Sequence, residues 1–182
     1  NCFVKQSPTL TSPIMLSEDY TALKEYLNEY ELLNHATVTV DVLTDRATGL
    51  QMWRHGDMTG GTELSQRYVD RSSALLRLPE GLSQEDEMYM LSLYQDVMGM
   101  YEDLKFIHRE KGKKRSTEVA RAILPNYVTT RIIQCRPLRQ WNHFFNLRRT
   151  AHAQLEIQKD AEHLYQLFQK IGATSVFQTS EK

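Results

Sequence analysis

Three clusters in this 182-residue chain set arginines beside hydrogen-bonding side chains within otherwise apolar segments. The first is Gln51-Met52-Trp53-Arg54-His55, followed beyond a glycine-containing stretch by Glu63-Leu64-Ser65-Gln66-Arg67-Tyr68. The second is Glu118-Val119-Ala120-Arg121 with Leu124-Pro125. The third runs from Arg139 through Asn146-Leu147-Arg148 to His152-Ala153-Gln154-Leu155-Glu156. An unpaired guanidinium is costly to bury, so arginines set in apolar patterns usually have anionic partners. Between Lys105 and Arg149, twelve basic residues meet only Glu110 and Glu118, although the whole chain has a net charge of −1. With so few carboxylates in that segment, a bound anion is the economical partner. Arginine's planar fork suits a phosphate, and Ser65 can add a hydroxyl donor.

Other chemistries are less well supported by the residue types. Arg148, His152 and Glu156 follow one another at four-residue spacing, which places them on one helix stripe with Phe145. His152 and Glu156 could ligate a metal, but two ligands do not make a site, and a helix salt bridge accounts for the pair equally well. No metal is expected. His55 has the chemistry of a general acid or base, and beside Arg54 it serves as readily as a phosphate contact or a surface residue. Cys135, in Ile132-Ile133-Gln134-Cys135, has no activating base near it in sequence and reads as a buried structural thiol. Lys111-Gly112-Lys113-Lys114-Arg115 reads as a solvated loop. No aromatic or glycine-rich RNA-binding signature flanks it, so no nucleic-acid partner is expected.

The elements that must position these residues follow from periodicity. Ser17 is placed to cap a helix that runs to about Asn34, with Leu23, Tyr26, Leu27, Tyr30 and Leu33 at helical spacing. Ala36 to Val42 alternates as a strand. Asp45 is a plausible cap for a short helix through Trp53, and Gly56 to Thr62, with three glycines, reads as a loop. Leu91, Tyr94, Met98, Tyr101 and Leu104 stripe a long helix from about Gln84 to His108. Ser116 caps a helix over 117–124 that Pro125 stops, Tyr127 to Gln134 reads as a second strand, and a last helix spans about Leu138 to Ile171. With 41% apolar and 25% charged residues and no internal repeat, residues 1–182 read as a single α+β domain, its long helices packed on an antiparallel sheet. No apolar run approaches the ~20 residues of a membrane span, Asn1 to Lys5 does not begin a signal peptide, and two cysteines cannot build a disulfide framework. The expectation is a soluble cytoplasmic protein, in a bacterial or a virus-infected cell, with no membrane partner.

Together the clusters resemble the signature of the flavin-dependent thymidylate synthases, the ThyX family. That family carries Arg-His-Arg, then seven residues and a Ser, within a run ending Glu-x-Ser-x-Arg-Tyr. Arg54-His55 and Glu63-Leu64-Ser65-Gln66-Arg67-Tyr68 match it, with Gln51 three places before Arg54. Glu118 to Arg121 with Leu124-Pro125 matches a second block, and Asn146-Leu147-Arg148 with His152-Ala153-Gln154 and Glu156-Ile157-Gln158 a third. The match covers roughly Leu23 to Phe168. There are departures: Gly56 replaces the second Arg of the triplet, one extra residue precedes Ser65, Asn34-His35 stands for Glu-His, and Pro137 and His143 replace two asparagines. The family's early Arg-Val-Ser segment is not found among residues 1–22.

The resemblance implies a methyltransferase that converts dUMP to dTMP, using methylenetetrahydrofolate as carbon donor, FAD as hydride carrier and NADPH as reductant, and assembled as a homotetramer. By position, Gln51, Arg54, Glu63, Ser65, Arg67 and Arg121 would hold the nucleotide's phosphate and sugar. Arg148 would bind and polarise the pyrimidine, which makes it the expected catalytic residue. Arg54, His55, Arg139 and His152 would contact FAD. Two alternatives stand beside this one: a related enzyme acting on UMP or dCMP, and a nucleotide-binding protein that has lost the flavin chemistry.

Overall fold

The computed structural model describes residues 3–4, 27–54, 60–112 and 115–177. Their internal contacts separate two compact units. The first takes the described residues of Asn1–Gln6, Asp45–Ala47 and Glu63–Thr130; the second takes those of Ser7–Thr44, Thr48–Thr62 and Arg131–Lys182.

The second unit holds the larger core. Helix α1 (Glu29–His35) starts at Asn28 through a capping box: the Glu31 amide donates to the Asn28 side chain at 3.0 Å, and the Asn28 amide donates to the Glu31 carboxylate at 2.9 Å. The helix expected from Ser17 therefore begins, among the described residues, at Glu29; 17–26 lie outside them. Strand β2 (Thr37–Asp45) buries Val38, Val40 and Val42, as its alternation predicts. Against these valines pack Trp141, Phe144 and Phe145 of α5 (Leu138–Arg148) and Ile157, Leu164 and Phe168 of α6 (Leu155–Lys170). The buried Trp141 indole is satisfied by donating to the Val38 carbonyl at 3.0 Å.

Two expectations fail in this unit. The single helix foreseen over Leu138–Ile171 is two helices. The Thr150 hydroxyl donates to the Leu147 carbonyl (3.1 Å), the Ala153 amide to the Thr150 carbonyl (3.0 Å), and Gln154 is extended at ψ 142°. The apolar stripe lapses across Arg149–Gln154, so no buried face holds the helix together there. Arg148, His152 and Glu156 consequently do not share a helix stripe. The second failure is the expected Gly56–Thr62 loop. Residues 55–59 lie outside the described residues, and Gly60–Glu63 is strand β3. It belongs to an antiparallel sheet ordered β2-β5-β3, with β5 at Thr129–Pro137. A Cβ at Gly61 would sit 2.8 Å from the Trp53 ring and 3.0 Å from the Ile133 carbonyl, so here glycine permits close packing of a strand. Cys135, expected to be buried, is half-buried in β5.

The first unit is organised by α3 (Gln84–Glu110), two residues longer than expected. Ser83 caps it by accepting from the Asp86 amide (3.1 Å), three acidic residues occupy its first turn, and His108 and Arg109 lie in its last, all favourable to the helix dipole. Its two buried side chains tie down the preceding segment: the Tyr94 hydroxyl donates to the Ala74 carbonyl at 2.7 Å, and the Tyr101 hydroxyl accepts from the Arg71 amide at 3.1 Å. Helix α4 (Ser116–Ala120) packs on α3 and runs into a 3-10 turn at Arg121–Ile123. Ser116 is its first residue rather than its cap. Strand β1 (Phe3–Val4) pairs in parallel with β4 (Leu76–Arg77). Asp45, foreseen as a helix cap, is fully buried and forms an ion pair with Arg77 at 3.2 Å. The following helix α2 spans Arg46–Trp53. Among the described residues, no helix is long and apolar enough to cross a membrane.

Candidate functional site

The second unit brings Arg148, the last residue of α5, to Gln51 on α2. The Arg148 Nη1 donates to the Gln51 Oε1 at 3.2 Å. The Gln51 Nε2 donates to the Gln154 Oε1 at 2.6 Å, and the Gln154 Nε2 to the Glu156 Oε2 at 2.8 Å. Burial, and secondarily the charge of Arg54, lowers the pKa of Arg148 from its ordinary value. Two guanidinium groups within electrostatic reach of each other form a positive locus that a phosphate or a developing oxyanion would relieve. Arg54 is exposed just after α2.

Two further expected residues of this unit lie at its surface. Arg139, exposed in the first turn of α5, sits over the Tyr30 ring at 5.7 Å in an open cleft of about 600 Å³ that Asn28, Leu33 and Asn142 also line. His152 is exposed in the turn between α5 and α6. His55 lies outside the described residues.

The first unit holds Glu63, Ser65, Arg67 and Arg121. Glu63 accepts from the Thr130 hydroxyl at 3.1 Å. Ser65 begins a turn in which its carbonyl accepts from the Val69 amide at 3.0 Å. Arg67 pairs with Glu118 at 2.9 Å and lies over the Tyr68 ring at 5.4 Å. Its buried Nε has no hydrogen-bond partner among the described residues. Arg121 is half-buried in the 3-10 turn. The expected nucleotide set thus divides, with Gln51, Arg54 and Arg148 in one unit and Glu63, Ser65, Arg67 and Arg121 in the other.

The scarcity of carboxylates holds in sequence and not in space. Carboxylates scarce between Lys105 and Arg149 in sequence are supplied in space from outside that segment: Asp41 to Arg131, Glu162 to Arg149 at 2.6 Å, and Asp70 and Glu102 to Lys105. Arg136 is fully buried, donating to the Met52 carbonyl and to Gln134, and lies 5.0 Å from the Trp141 ring centre; burial lowers its pKa to about 10. From the sequence, Glu156 is expected to pair with His152 as a metal ligand or a salt bridge and Gln154 has no role; the structure joins Glu156 to Gln154 instead of setting it on a helix stripe with His152, and both stand in the third motif. Among the described residues, no three His, Cys, Asp or Glu side chains gather as metal ligands.

A family model described as "Thymidylate synthase complementing protein" matches residues 18–172, running through both units. The chain belongs to this family. Similar members are the flavin-dependent thymidylate synthases of Mycobacterium avium (strain 104), 27% identical over 73% of this chain and 58% of the relative, and of Corynebacterium aurimucosum, 29% identical over 70% and 56%. That of Corynebacterium efficiens is 30% identical over 69% and 55%. The chain therefore spans a little over half the length of the curated relatives it matches. At these identities it is a divergent member of the family, which agrees with the family motif read around Arg54, Glu118 and Arg148.

Proposed function

We propose that this chain is a flavin-dependent thymidylate synthase, a transferase that reductively methylates dUMP to dTMP with methylenetetrahydrofolate as carbon donor and NADPH as reductant. The observation that carries this reading is Arg148, half-buried, hydrogen-bonded to the Gln51 amide and near the charge of Arg54, within the segment that matches the family. Arg148 holds the pyrimidine and stabilises the negative charge that develops on it when hydride arrives. Gln51, Arg54, Glu63, Ser65, Arg67 and Arg121 bind the phosphate and sugar. We assign part of the flavin dinucleotide to the cleft at Arg139, where the cation would face pyrophosphate and the exposed Tyr30 ring is available for stacking, although the Glu29 carboxylate lines the same cleft. FAD, when bound, supplies hydride-transfer chemistry; Arg139, Arg54, His55 and His152 hold it. The proposed enzyme has a single catalytic domain assigned to residues 1–182 and acts as a cytoplasmic homotetramer.

The test is a visible spectrum followed by a tritium-release assay. Purified protein is expected to be yellow, to bleach with NADPH, and to release tritium from carbon-5-labelled dUMP when the folate is present. Release from UMP or dCMP alone would reassign the substrate. A protein that stays colourless with added FAD yet binds dUMP would be a nucleotide-binding module.

A further inference from the structure

The line of side chains ending at Arg148 has a chemistry at each end that determines its direction. Arg148 can only donate, and the Glu156 carboxylate can only accept. Two amides lie between them, so both must point the same way, carbonyl toward Arg148 and NH2 toward Glu156. The contacts at 3.2, 2.6 and 2.8 Å are consistent with that orientation alone. Glu156 is 5% exposed and sits in the first turn of α6, while Gln51 belongs to α2 and Arg148 ends α5. Three helices are thereby registered on one guanidinium.

We propose that Gln154 and Glu156 are positioning residues that set the orientation of the Arg148 guanidinium through Gln51. This rests on the role given to Arg148 above. The break between α5 and α6 is what makes the line possible, because it lets Gln154 turn back to Gln51 while Glu156 anchors the next helix. Two neutral amides also separate the carboxylate from the arginine. A carboxylate in direct contact would neutralise the guanidinium, as Glu162 does for Arg149, and would compete with an anionic substrate. Along this line the amides transmit geometry and bring no charge of their own to the guanidinium.

The test is a double-mutant cycle in the full chain, with dUMP affinity read by titration calorimetry and turnover by tritium release. Glu156→Gln keeps the shape but can face Gln154 with either its oxygen or its NH2, so that end of the line no longer fixes the direction of the amides and only Arg148 does; Gln154→Leu breaks the line outright. Each is expected to lower kcat/KM about 10- to 100-fold, as when the outer partner that orients a ligating group is removed. On an Arg148→Ala background the same changes should alter dUMP affinity less than about twofold, since coupled residues are non-additive. An equal loss on both backgrounds, or a lower melting temperature with unchanged kinetics, overturns the proposal. If the wild-type protein neither binds nor converts dUMP, the functional reading fails separately. High-resolution structures of wild type and Glu156→Gln then decide the line: Arg148 displaced from Gln51 in the variant supports it, and an unmoved Arg148 overturns it.

Discussion

Each unit holds arginines on both kinds of partner, carboxylate and neutral: Asp41 and Glu162 pair with Arg131 and Arg149 in the second, and Gln66 accepts from Arg46 in the first. The contrast is clearest between two pairs of arginines. In the first unit, Arg77 pairs with the buried Asp45 and Arg67 with Glu118. In the second, Arg136 donates to the Met52 carbonyl and the Gln134 amide, and Arg148 to the Gln51 amide. Burial lowers the pKa of both Arg136 and Arg148, the sign of cations whose surroundings do not fully compensate lost hydration. Arg136 is closed in by Trp141 and Phe144, so its positive charge is structural. Arg148 is half-buried beside a second arginine and can accept a ligand. Arg77, held by a buried carboxylate, and Arg136, enclosed by aromatic rings, thus serve the fold, whereas Arg148 stands where a ligand can reach it.

Four substitutions or conditions test that contrast, in order of expected effect. Asp45→Ala leaves Arg77 buried and uncompensated, and should lower unfolding stability by about 3–5 kcal/mol in urea titrations. Arg148→Ala should do the opposite, lowering turnover about 10²- to 10³-fold, about 3–4 kcal/mol of activation free energy, while leaving the urea midpoint nearly unchanged. A large stability loss in Arg148→Ala would erase the distinction. Glu118→Gln, at a pair whose side chains are 38% and 30% exposed, should change stability by less than about 1 kcal/mol. Any loss of dUMP affinity in that variant would show that Glu118 orients Arg67 for a ligand rather than for the fold.

The smallest effect concerns an exposed ion pair. Burial acts to raise the Asp70 pKa, but hydrogen bonds from Lys105 and Ser72 outweigh it and bring the carboxyl down from 3.8 to about 2. The unfolded chain binds that proton at higher pH than the folded one. The stabilisation is therefore present above about pH 4 and lost as pH falls toward 2. Lys105→Met should flatten the acid limb of the stability curve in that window, and an unchanged limb would show the pair contributes nothing measurable.

Much of the fold was legible where one face of an element is apolar. The stripe from Leu91 to Leu104 placed α3 within two residues, and the alternation through Val38, Val40 and Val42 placed β2. Less was legible where a partner elsewhere in the chain decides. Gly60–Glu63 reads as a loop by composition, and is a strand because β5 completes its hydrogen bonding and Gly61 fits under Trp53. The split between α5 and α6 has no glycine or proline to announce it. At the site, the residue types of Gln51, Arg54 and Arg148 announced anion binding, while the couplings through Gln154 and Glu156 span about a hundred residues and were invisible.

By itself the sequence determined the family, through the spacing of its three motifs, and the helices and strands with a one-sided apolar pattern, because local periodicity is written residue by residue. Tertiary structure alone decided which arginines are neutralised. Asp41, Asp45, Glu118 and Glu162 reach Arg131, Arg77, Arg67 and Arg149 from 90, 32, 51 and 13 positions away. Electrostatic compensation depends on distance in space, which a linear charge count cannot contain.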